Sequence, residues 1–115
     1  MSDKATAGHL TLAVRRTGNA AVVRCSGKLV AGMNDLLYIQ VKPLIPDCKR
    51  IVLDMKDLTH MDSMGLGTVV RLYVSAKSAG CDLELANIGR PIRHLLGVTH
   101  LISVLAIIGE NNIRL

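Results

Sequence analysis

The fold of this chain is decided by the stretch HMDSMGLGTVV, residues 60–70. This stretch joins a nearly continuous apolar segment, residues 51–55, to an amphipathic segment, residues 64–79. The apolar run is typical of a strand covered on both faces, and the amphipathic segment predicts a helix. Asp62 and Ser63 stand at the junction, where either side chain can accept hydrogen bonds from the free N–H groups of a first helical turn.

Two glycines distinguish this junction from an ordinary helix start. Gly65 and Gly67 each cost the helix roughly 1 kcal/mol relative to alanine. Their bare backbone would let another surface, or an anion, approach the N–H groups closely. We therefore expect the rest of the chain to act as a scaffold that presents Ser63 at a helix N-terminus.

The composition predicts one domain with an aliphatic core. The chain has 115 residues, half of them hydrophobic, but it has no Phe or Trp and only two Tyr. Few aromatic rings argue against binding of single-stranded nucleic acid, whose bases stack on such rings. The apolar run at residues 101–108 is too short to span a bilayer, and the first residues lack the apolar region of a signal peptide. No membrane insertion is expected.

The cysteines indicate a reducing compartment. Cys25, Cys48 and Cys81 cannot all pair within the chain, and none belongs to a C-x-x-C motif. Cys25 and Cys81 lie in or beside apolar segments and are interpreted as small core residues. This use of cysteine suits a cytoplasmic protein.

The basic charge is spread along the chain. The formal net charge is +5, yet no run of Lys and Arg reaches the roughly five to eight residues of a nucleic-acid patch. Dispersed cations favour a solvated surface and leave an acidic protein partner open as an alternative. We expect no direct contact with nucleic acid.

Hydrophobic periodicity predicts an α/β domain, residues 9–115, after a flexible N-terminal tail, residues 1–8. Strands are expected at residues 9–16, 20–27, 50–55, 81–86 and 102–108, with loops at 28–32 and 56–61. Helices are expected after a cap at Asn34, ending or kinking before Pro43, then at 64–79 with a stop at Gly80, and at 91–96, closed by Gly97. The order β-β-α-β-α-β-α-β implies a mixed sheet of four to five strands with helices packed on it.

The second helix has the clearest apolar stripe. Leu66, Val69, Val70 and Tyr73 recur at i, i+3, i+4 and i+7, and Ala76 continues the row. This side of the helix is expected to face the sheet.

Catalytic, nucleotide and metal sites receive little support. His60, Asp62 and Ser63 are the residue types of a nucleophilic triad, but a triad normally draws its members from separate segments. Gly65 and Gly67 match two positions of a dinucleotide fingerprint, whose third glycine is replaced by Val70. The four histidines are scattered, without the i, i+4 spacing of a helical metal site. No enzymatic activity, cofactor or metal is expected.

Ser63 itself has two interpretations. It can be an ordinary N-cap, which contributes about 1 kcal/mol to the helix. It can also be a switch, because a phosphate there adds about −1.5 to −2 charges at a helix N-terminus that tolerates them. A partner packed against the same place would then meet a dianion, so binding would change while folding would not.

A resemblance to a known family is carried by IVLDM at residues 51–55, Leu58 and the sequence MDSMGLG at residues 61–67. With these residues the chain resembles the STAS domain family, and more narrowly the bacterial anti-sigma-factor antagonists. The resemblance extends from the hairpin that ends in Ser26 and Gly27 through the segment PIRHLL, residues 91–96, to Leu101. It implies a small sheet-and-helix domain of a bacterial signalling phosphoprotein that regulates transcription.

The resemblance also implies a mechanism. An anti-sigma serine kinase, which itself binds ATP, would phosphorylate Ser63. The unphosphorylated domain would bind that kinase and so release a sigma factor, and the phosphate would break the complex. The implied partner-binding surface contains Asp62, Ser63, Met64, Gly65, Leu66, Gly67, Lys28 and Val30.

Three features depart from the antagonist pattern. Met64 follows the serine where the family usually has Ser or Thr, and GKLV at residues 27–30 stands where antagonists commonly have GELD. The net basic charge is also unusual for a partner of anti-sigma serine kinases. The alternative function is therefore a STAS scaffold or accessory subunit of a sensory complex or a lipid or anion transporter, with Ser63 structural. The oligomeric state is left open, with a weak dimer among the compatible states.

Overall fold

A computed structural model of the chain describes residues 2–99 and 106–108. In this part the strands are β1 (Ser2–Ala7), β2 (Leu10–Thr17), β3 (Ala20–Leu29), β4 (Arg50–Met61), β5 (Asp82–Ala86) and β6 (Ala106–Ile108). The helices are α1 (Asn34–Val41), α2 (Ser63–Ser78) and α3 (Arg90–Val98), and a 3₁₀ helix, Lys42–Asp47, continues α1.

The described strands form one mixed sheet in the order β1-β2-β3-β4-β5-β6. The pairs β1–β2 and β2–β3 are antiparallel, whereas β3–β4, β4–β5 and β5–β6 are parallel. A parallel pair needs a crossover, and here each crossover contains a helix. The predicted fold class, an α/β domain with a hairpin followed by βα units, is confirmed, with one strand more than predicted.

The extra strand is β1. Residues 2–7, for which the sequence predicts a tail, pair in register with β2, from Ser2 opposite Arg15 to Ala7 opposite Leu10. The Thr6 and Thr11 hydroxyls also lie 3.3 Å apart across the pair. In a polar segment at a sheet edge, the backbone N–H and C=O groups are satisfied by pairing with one neighbouring strand. Such a strand needs no apolar periodicity, so hydrophobic patterning does not predict it.

β3 and β4 both continue beyond their predicted ends. β3 runs to Leu29, through part of the predicted 28–32 loop, and β4 runs through the whole predicted 56–61 loop. The two extensions pair with each other, with register shifts after Arg24 and Gly27. Those irregularities interrupt the alternation of apolar residues, so the sequence resembled a loop although the backbone is paired.

The helix ends differ in detail from the prediction. Asn34 is the first residue of α1 and its side chain makes no capping hydrogen bond, so the predicted cap is wrong. The α-helix ends at Val41, before Pro43, as predicted. Gly80 has φ +74°, the left-handed conformation expected of a helix stop. Gly97 lies inside α3, whose C-cap is Thr99, and the part of the predicted last strand at 102–105 lies outside the described residues.

One large apolar cluster joins the sheet to all three helices. It includes Leu37 and Val41 of α1, Ile92 and Leu96 of α3, and the inner face of α2. The buried residues of α2 are Gly65, Leu66, Thr68, Val69, Leu72 and Ala76, while the predicted stripe members Val70 and Tyr73 are half-buried. All three cysteines are buried and free. The packing therefore fixes α2 along its length and places its first turn beside the ends of β3 and β4.

Candidate functional site

The first turn of α2 is held by Asp62. Its Oδ1 accepts a hydrogen bond from the N–H of Gly65 at 3.0 Å, which is the usual N-cap contact. Its Oδ2 accepts another from the N–H of Ala31 at 2.9 Å. One carboxylate therefore joins the start of α2 to the loop between β3 and α1. These backbone donors, Gly65 first, lower the pKa of Asp62 below its ordinary value of 3.8.

Ser63 is the first residue of α2 and is exposed. Because Asp62 provides the cap, the interpretation of Ser63 as the N-cap is wrong. Within the described residues its hydroxyl makes no hydrogen bond, and the helix starts without it. The serine is therefore open to solvent at the positive end of a sixteen-residue helix.

The two glycines of this turn have different surroundings. A Cβ built on Gly65 would overlap the carbonyl oxygen of Leu29 and lie 2.9 Å from its Cγ. A Cβ built on Gly67 would meet nothing within 4 Å in the described structure. Close packing of α2 on the end of β3 therefore explains Gly65. No packing in the described part explains Gly67, which lies on the exposed side.

The predicted surface residues divide into an exposed and a buried group. Ser63, Met64, Gly67 and Lys28 are exposed, Met64 to 55% of its full area. Asp62 and Val30 are half-buried, whereas Gly65 and Leu66 are buried. The fold thus brings residues from β3, its following loop and α2 together at one end of the molecule. The side chain of Leu66 packs into the core rather than onto this surface.

The loop beside the serine is a tight turn. The N–H of Met33 donates to the carbonyl of Val30 at 2.8 Å, and Gly32 has φ +90°. Together with the bond from Ala31 to Asp62, this turn places Val30 and its neighbours next to the start of α2. The role of the Ala31 N–H is not predictable from the sequence, since any residue except proline can supply a backbone donor.

A second polar contact fastens α1 to the same turn. Thr68 is buried, and its Oγ1 donates to the carbonyl of Met64 while accepting from the Asn34 amide, each at 3.3 Å. The asparagine expected to cap α1 therefore serves this contact between helices. Further along, the guanidinium of Arg71 lies 4.4 Å from the centre of the Tyr38 ring.

The histidine of the junction does not form a catalytic pair with the serine. The Nδ1 of His60 lies 2.9 Å from the hydroxyl of Thr59, and that hydroxyl donates to the carbonyl of Gly27. A nucleophile needs a base within hydrogen-bond reach. In the described part, the groups that could supply a triad do not have that geometry, and no group of three metal-ligating side chains is found.

Sequence reasoning missed a buried carboxylate, Asp54. Its Oδ1 accepts from the N–H of Lys56 and from the Asn87 amide, each at 3.0 Å, and its Oδ2 lies 3.8 Å from the Arg24 guanidinium. These contacts connect β4 to the turn after β5. The position of Asp54 inside an otherwise apolar strand could have indicated this arrangement, because a buried charge needs hydrogen-bonding or ionic partners.

Comparison with known proteins places the chain among others of the same fold. The STAS domain family model matches residues 11–112. The anti-sigma F factor antagonist of Paenibacillus polymyxa is 28% identical over 101 residues, which cover 86% of each chain. The unphosphorylated anti-sigma factor antagonist SpoIIAA matches with a TM-score of 0.76 at 17% identity, over 88% of this chain and 89% of that one.

The same fold occurs in a transport context. A sulfate transporter family protein from Wolinella succinogenes matches with a TM-score of 0.70 at 15% identity, over 81% of this chain and 80% of that one. In the part of the present chain that the structure describes, none of the helices has the length and apolar character needed to cross a bilayer. Because the family model covers nearly all of the sequence, the chain belongs to the STAS domain family.

Proposed function

We propose that the chain is an anti-sigma-factor antagonist whose binding is gated by phosphorylation of Ser63. In its unphosphorylated form it binds an anti-sigma serine kinase and thereby releases a sigma factor. The phosphorylated form does not bind. The chain acts as a binding module and as a substrate, and the ATP is bound by its partner. The antagonist relative supports the partner class.

The observation that carries this proposal is the freedom of the Ser63 hydroxyl. Asp62 caps α2 through Gly65, so the neighbouring serine is exposed at the first helical position without a described hydrogen bond. A kinase can reach such a hydroxyl without opening the fold. A buried or capping serine would have to break a contact first.

The electrostatics explain how a phosphate can change binding and spare the fold. Its charge, about −1.5 to −2, would lie beside the positive end of α2, which favours negative charge. Among the described residues, the Ser63 hydroxyl makes no hydrogen bond that a phosphate would have to break. A partner packed over the same turn would have to bury or repel the dianion, and this costs binding free energy.

Gly67 adds independent support for a partner at this surface. Glycine there weakens the helix by about 1 kcal/mol relative to alanine, and no contact within the described molecule requires it. A closely approaching partner gives a physical reason for the bare backbone. Met64, with 55% of its area exposed, would supply apolar contact beside it.

The test uses the purified chain and an anti-sigma serine kinase from the same organism. Incubation with ATP and magnesium is expected to add one phosphate by intact mass, and Ser63→Ala is expected to abolish it. Ser78→Ala is the matched control, because Ser78 is an exposed serine at the other end of α2. Addition that persists in Ser63→Ala, or no addition to the wild type, would reject the gating mechanism.

Binding is measured separately with Ser63→Asp. Antagonist function predicts that the aspartate weakens the complex with the kinase in the absence of ATP, while the melting temperature stays within about 2 °C of wild type. A stable complex with sensory or transporter subunits that is indifferent to Ser63→Asp would instead support the scaffold or accessory function, with Ser63 structural.

A further inference from the structure

The turn between β1 and β2 lies against the segment that leads from β3 into α1. Gly8 and His9 form this turn, and we call it the N-terminal turn. The His9 carbonyl accepts from the N–H of Lys28 at 3.0 Å, near the end of β3. A Cβ built on Gly8 would lie 2.6 Å from the Sδ of Met33 and 2.7 Å from its Cε, so the methionine side chain packs directly on the bare glycine. The N-terminal turn therefore contacts residues 28–33 at both ends.

Met33 stands where a helix normally has a polar cap. It is the N-cap residue of α1, and its side chain makes no capping hydrogen bond. Asn, Asp, Ser and Thr are preferred at this position because their side chains accept from the first free N–H groups. Met33 packs instead on Gly8 and against the apolar core. Packing, and not capping, therefore fixes the start of α1.

The turn that Met33 closes is bonded to the cap of α2. The N–H of Met33 donates to the carbonyl of Val30 at 2.8 Å. Between these two residues, the N–H of Ala31 donates to Oδ2 of Asp62 at 2.9 Å, and the other oxygen of that carboxylate caps α2. A continuous series of contacts thus runs from the N-terminal turn to the residue immediately before the switch serine.

We propose that Met33 is a positioning residue of the Ser63 switch. It acts by keeping the N–H of Ala31 on the Asp62 carboxylate, and this inference rests on the proposed function. With both oxygens bound to backbone donors, the carboxylate leaves the adjacent hydroxyl free for a kinase. Without the Ala31 donor, Oδ2 is free to accept from the hydroxyl of Ser63. The loop that carries Val30 would then also lose its fixed place beside the serine.

Two hairpin glycines provide a matched test. Gly8 has φ +55° and Gly18 has φ +60°, and each is the first residue of a two-residue turn between antiparallel strands. Alanine at either position therefore meets the same backbone strain. Only at Gly8 does the new methyl group displace Met33, because a Cβ at Gly18 meets nothing within 4 Å among the described residues. Met33→Ala removes the same contact without that strain.

The first experiment needs no partner. Hydrogen exchange of the isotope-labelled chain is followed by NMR at the amides of Ala31 and Lys49, and Lys49 is the internal control because its N–H donates to the β2–β3 turn at 2.7 Å. Gly8→Ala and Met33→Ala should each speed exchange at Ala31 about tenfold or more and change exchange at Lys49 less than about twofold. Gly18→Ala should leave Ala31 unchanged. Equal acceleration at Ala31 in the two glycine variants would overturn the proposal.

The titration of Asp62 gives a second measure of the same contact. The N–H groups of Gly65 and Ala31 are the two largest causes that lower its pKa. When Ala31 is lost as a donor, the pKa of Asp62 should rise toward its ordinary value of 3.8 in Gly8→Ala and in Met33→Ala, as read by NMR of the side-chain carboxyl carbon. The double variant should show no larger effect than Met33→Ala alone. Additive effects would mean that the N-terminal turn does not act through Met33.

The last experiment connects the contact to the proposed function. Each variant is incubated with the anti-sigma serine kinase and ATP, and kcat/KM is measured for phosphate addition at Ser63. Gly8→Ala and Met33→Ala should lower kcat/KM about tenfold or more, and Gly18→Ala should lower it less than about twofold. Thermal unfolding checks that the two glycine variants are folded and lose similar stability.

The outcomes distinguish failure of this inference from failure of the proposed function. If Ala31 and Asp62 respond to Gly8→Ala but the kinase does not phosphorylate the wild type, the proposed kinase partner is wrong and the support of Asp62 by Met33 stands. If the kinase phosphorylates the wild type and Gly8→Ala equally well, the gating function stands and the positioning role of Met33 is rejected.

Discussion

Substitution of the two glycines of α2 by alanine should change stability in opposite directions. Both gain the same intrinsic helix propensity, about 1 kcal/mol relative to glycine. Gly67→Ala adds a methyl group that meets nothing within 4 Å among the described residues, so the gain should appear in full. For a domain of this size that is an increase of roughly 4 °C in melting temperature.

Gly65→Ala meets the end of β3. The new methyl group would overlap the carbonyl oxygen of Leu29, and that carbonyl also accepts from the N–H of Asp62 at 3.4 Å. Leu29 is itself paired with Met61 in the sheet, so the backbone cannot yield without disturbing the pairing. Overpacking of this kind costs about 1–3 kcal/mol. After the propensity gain of about 1 kcal/mol, we expect a net loss of up to about 2 kcal/mol.

The assay is urea unfolding followed by far-UV circular dichroism for the wild type and both variants. The free energies of unfolding of the two variants should differ by the overpacking cost, about 1–3 kcal/mol, with the wild type between them. If Gly65→Ala is as stable as Gly67→Ala, the close contact between α2 and Leu29 is wrong. In addition, Gly67→Ala should bind the kinase more weakly despite its higher stability, because the proposed partner approaches that backbone.

Three further experiments test the Asp62 cap, the burial of Cys25 and the hydrogen bond between Thr68 and Asn34. Asp62→Ala should lower stability by about 1–2 kcal/mol at neutral pH through loss of the cap. The pKa of Asp62 is lowered in the folded state, so its contribution to the free energy of unfolding is present above pH 3.8 and is lost as the pH falls through the folded pKa. In acid, urea unfolding should therefore show a smaller difference between Asp62→Ala and the wild type. Burial, with Asp54 nearby, raises the pKa of Cys25 to about 12, so iodoacetamide should leave Cys25 unmodified in the native protein and alkylate it only in urea, as read by peptide mass. Thr68→Val should cost about 1 kcal/mol, and a double-mutant cycle with Asn34→Ala should show coupling by urea unfolding, whereas additive effects would mean that the two side chains do not bond.

The sequence alone predicts the fold class because the buried faces of helices and strands repeat apolar residues at a regular spacing. Leu10, Leu12 and Val14 alternate along β2, residues 51–55 are all buried, and Leu83 and Leu85 alternate along β5. These patterns repeat wherever one or both faces of an element are covered. The left-handed Gly80 was predictable for the same local reason, since few other residues adopt its φ.

Segments that rely on backbone pairing rather than on burial of their own side chains left no such record. β1 and the second half of β4 are largely polar in sequence, and their backbones are satisfied by pairing with β2 and β3. The α2 stripe was also predicted with Val70 and Tyr73, whereas Leu72 is fully buried in their place. The angle at which a helix meets its sheet is set by packing of both surfaces and not by the helix alone.

The candidate site was also predicted in part from the sequence and decided in part by the tertiary structure. Its location at residues 62–67, and the identity of its serine, came from the sequence, because a helix start, a hydroxyl and two glycines coincide there. The tertiary structure decided that Asp62, and not Ser63, is the cap, since only folding brings the N–H of Ala31 and the carbonyl of Leu29 to this turn. It also placed Met33 on Gly8, two residues that lie far apart in the chain, and thereby connected the N-terminal turn to this site.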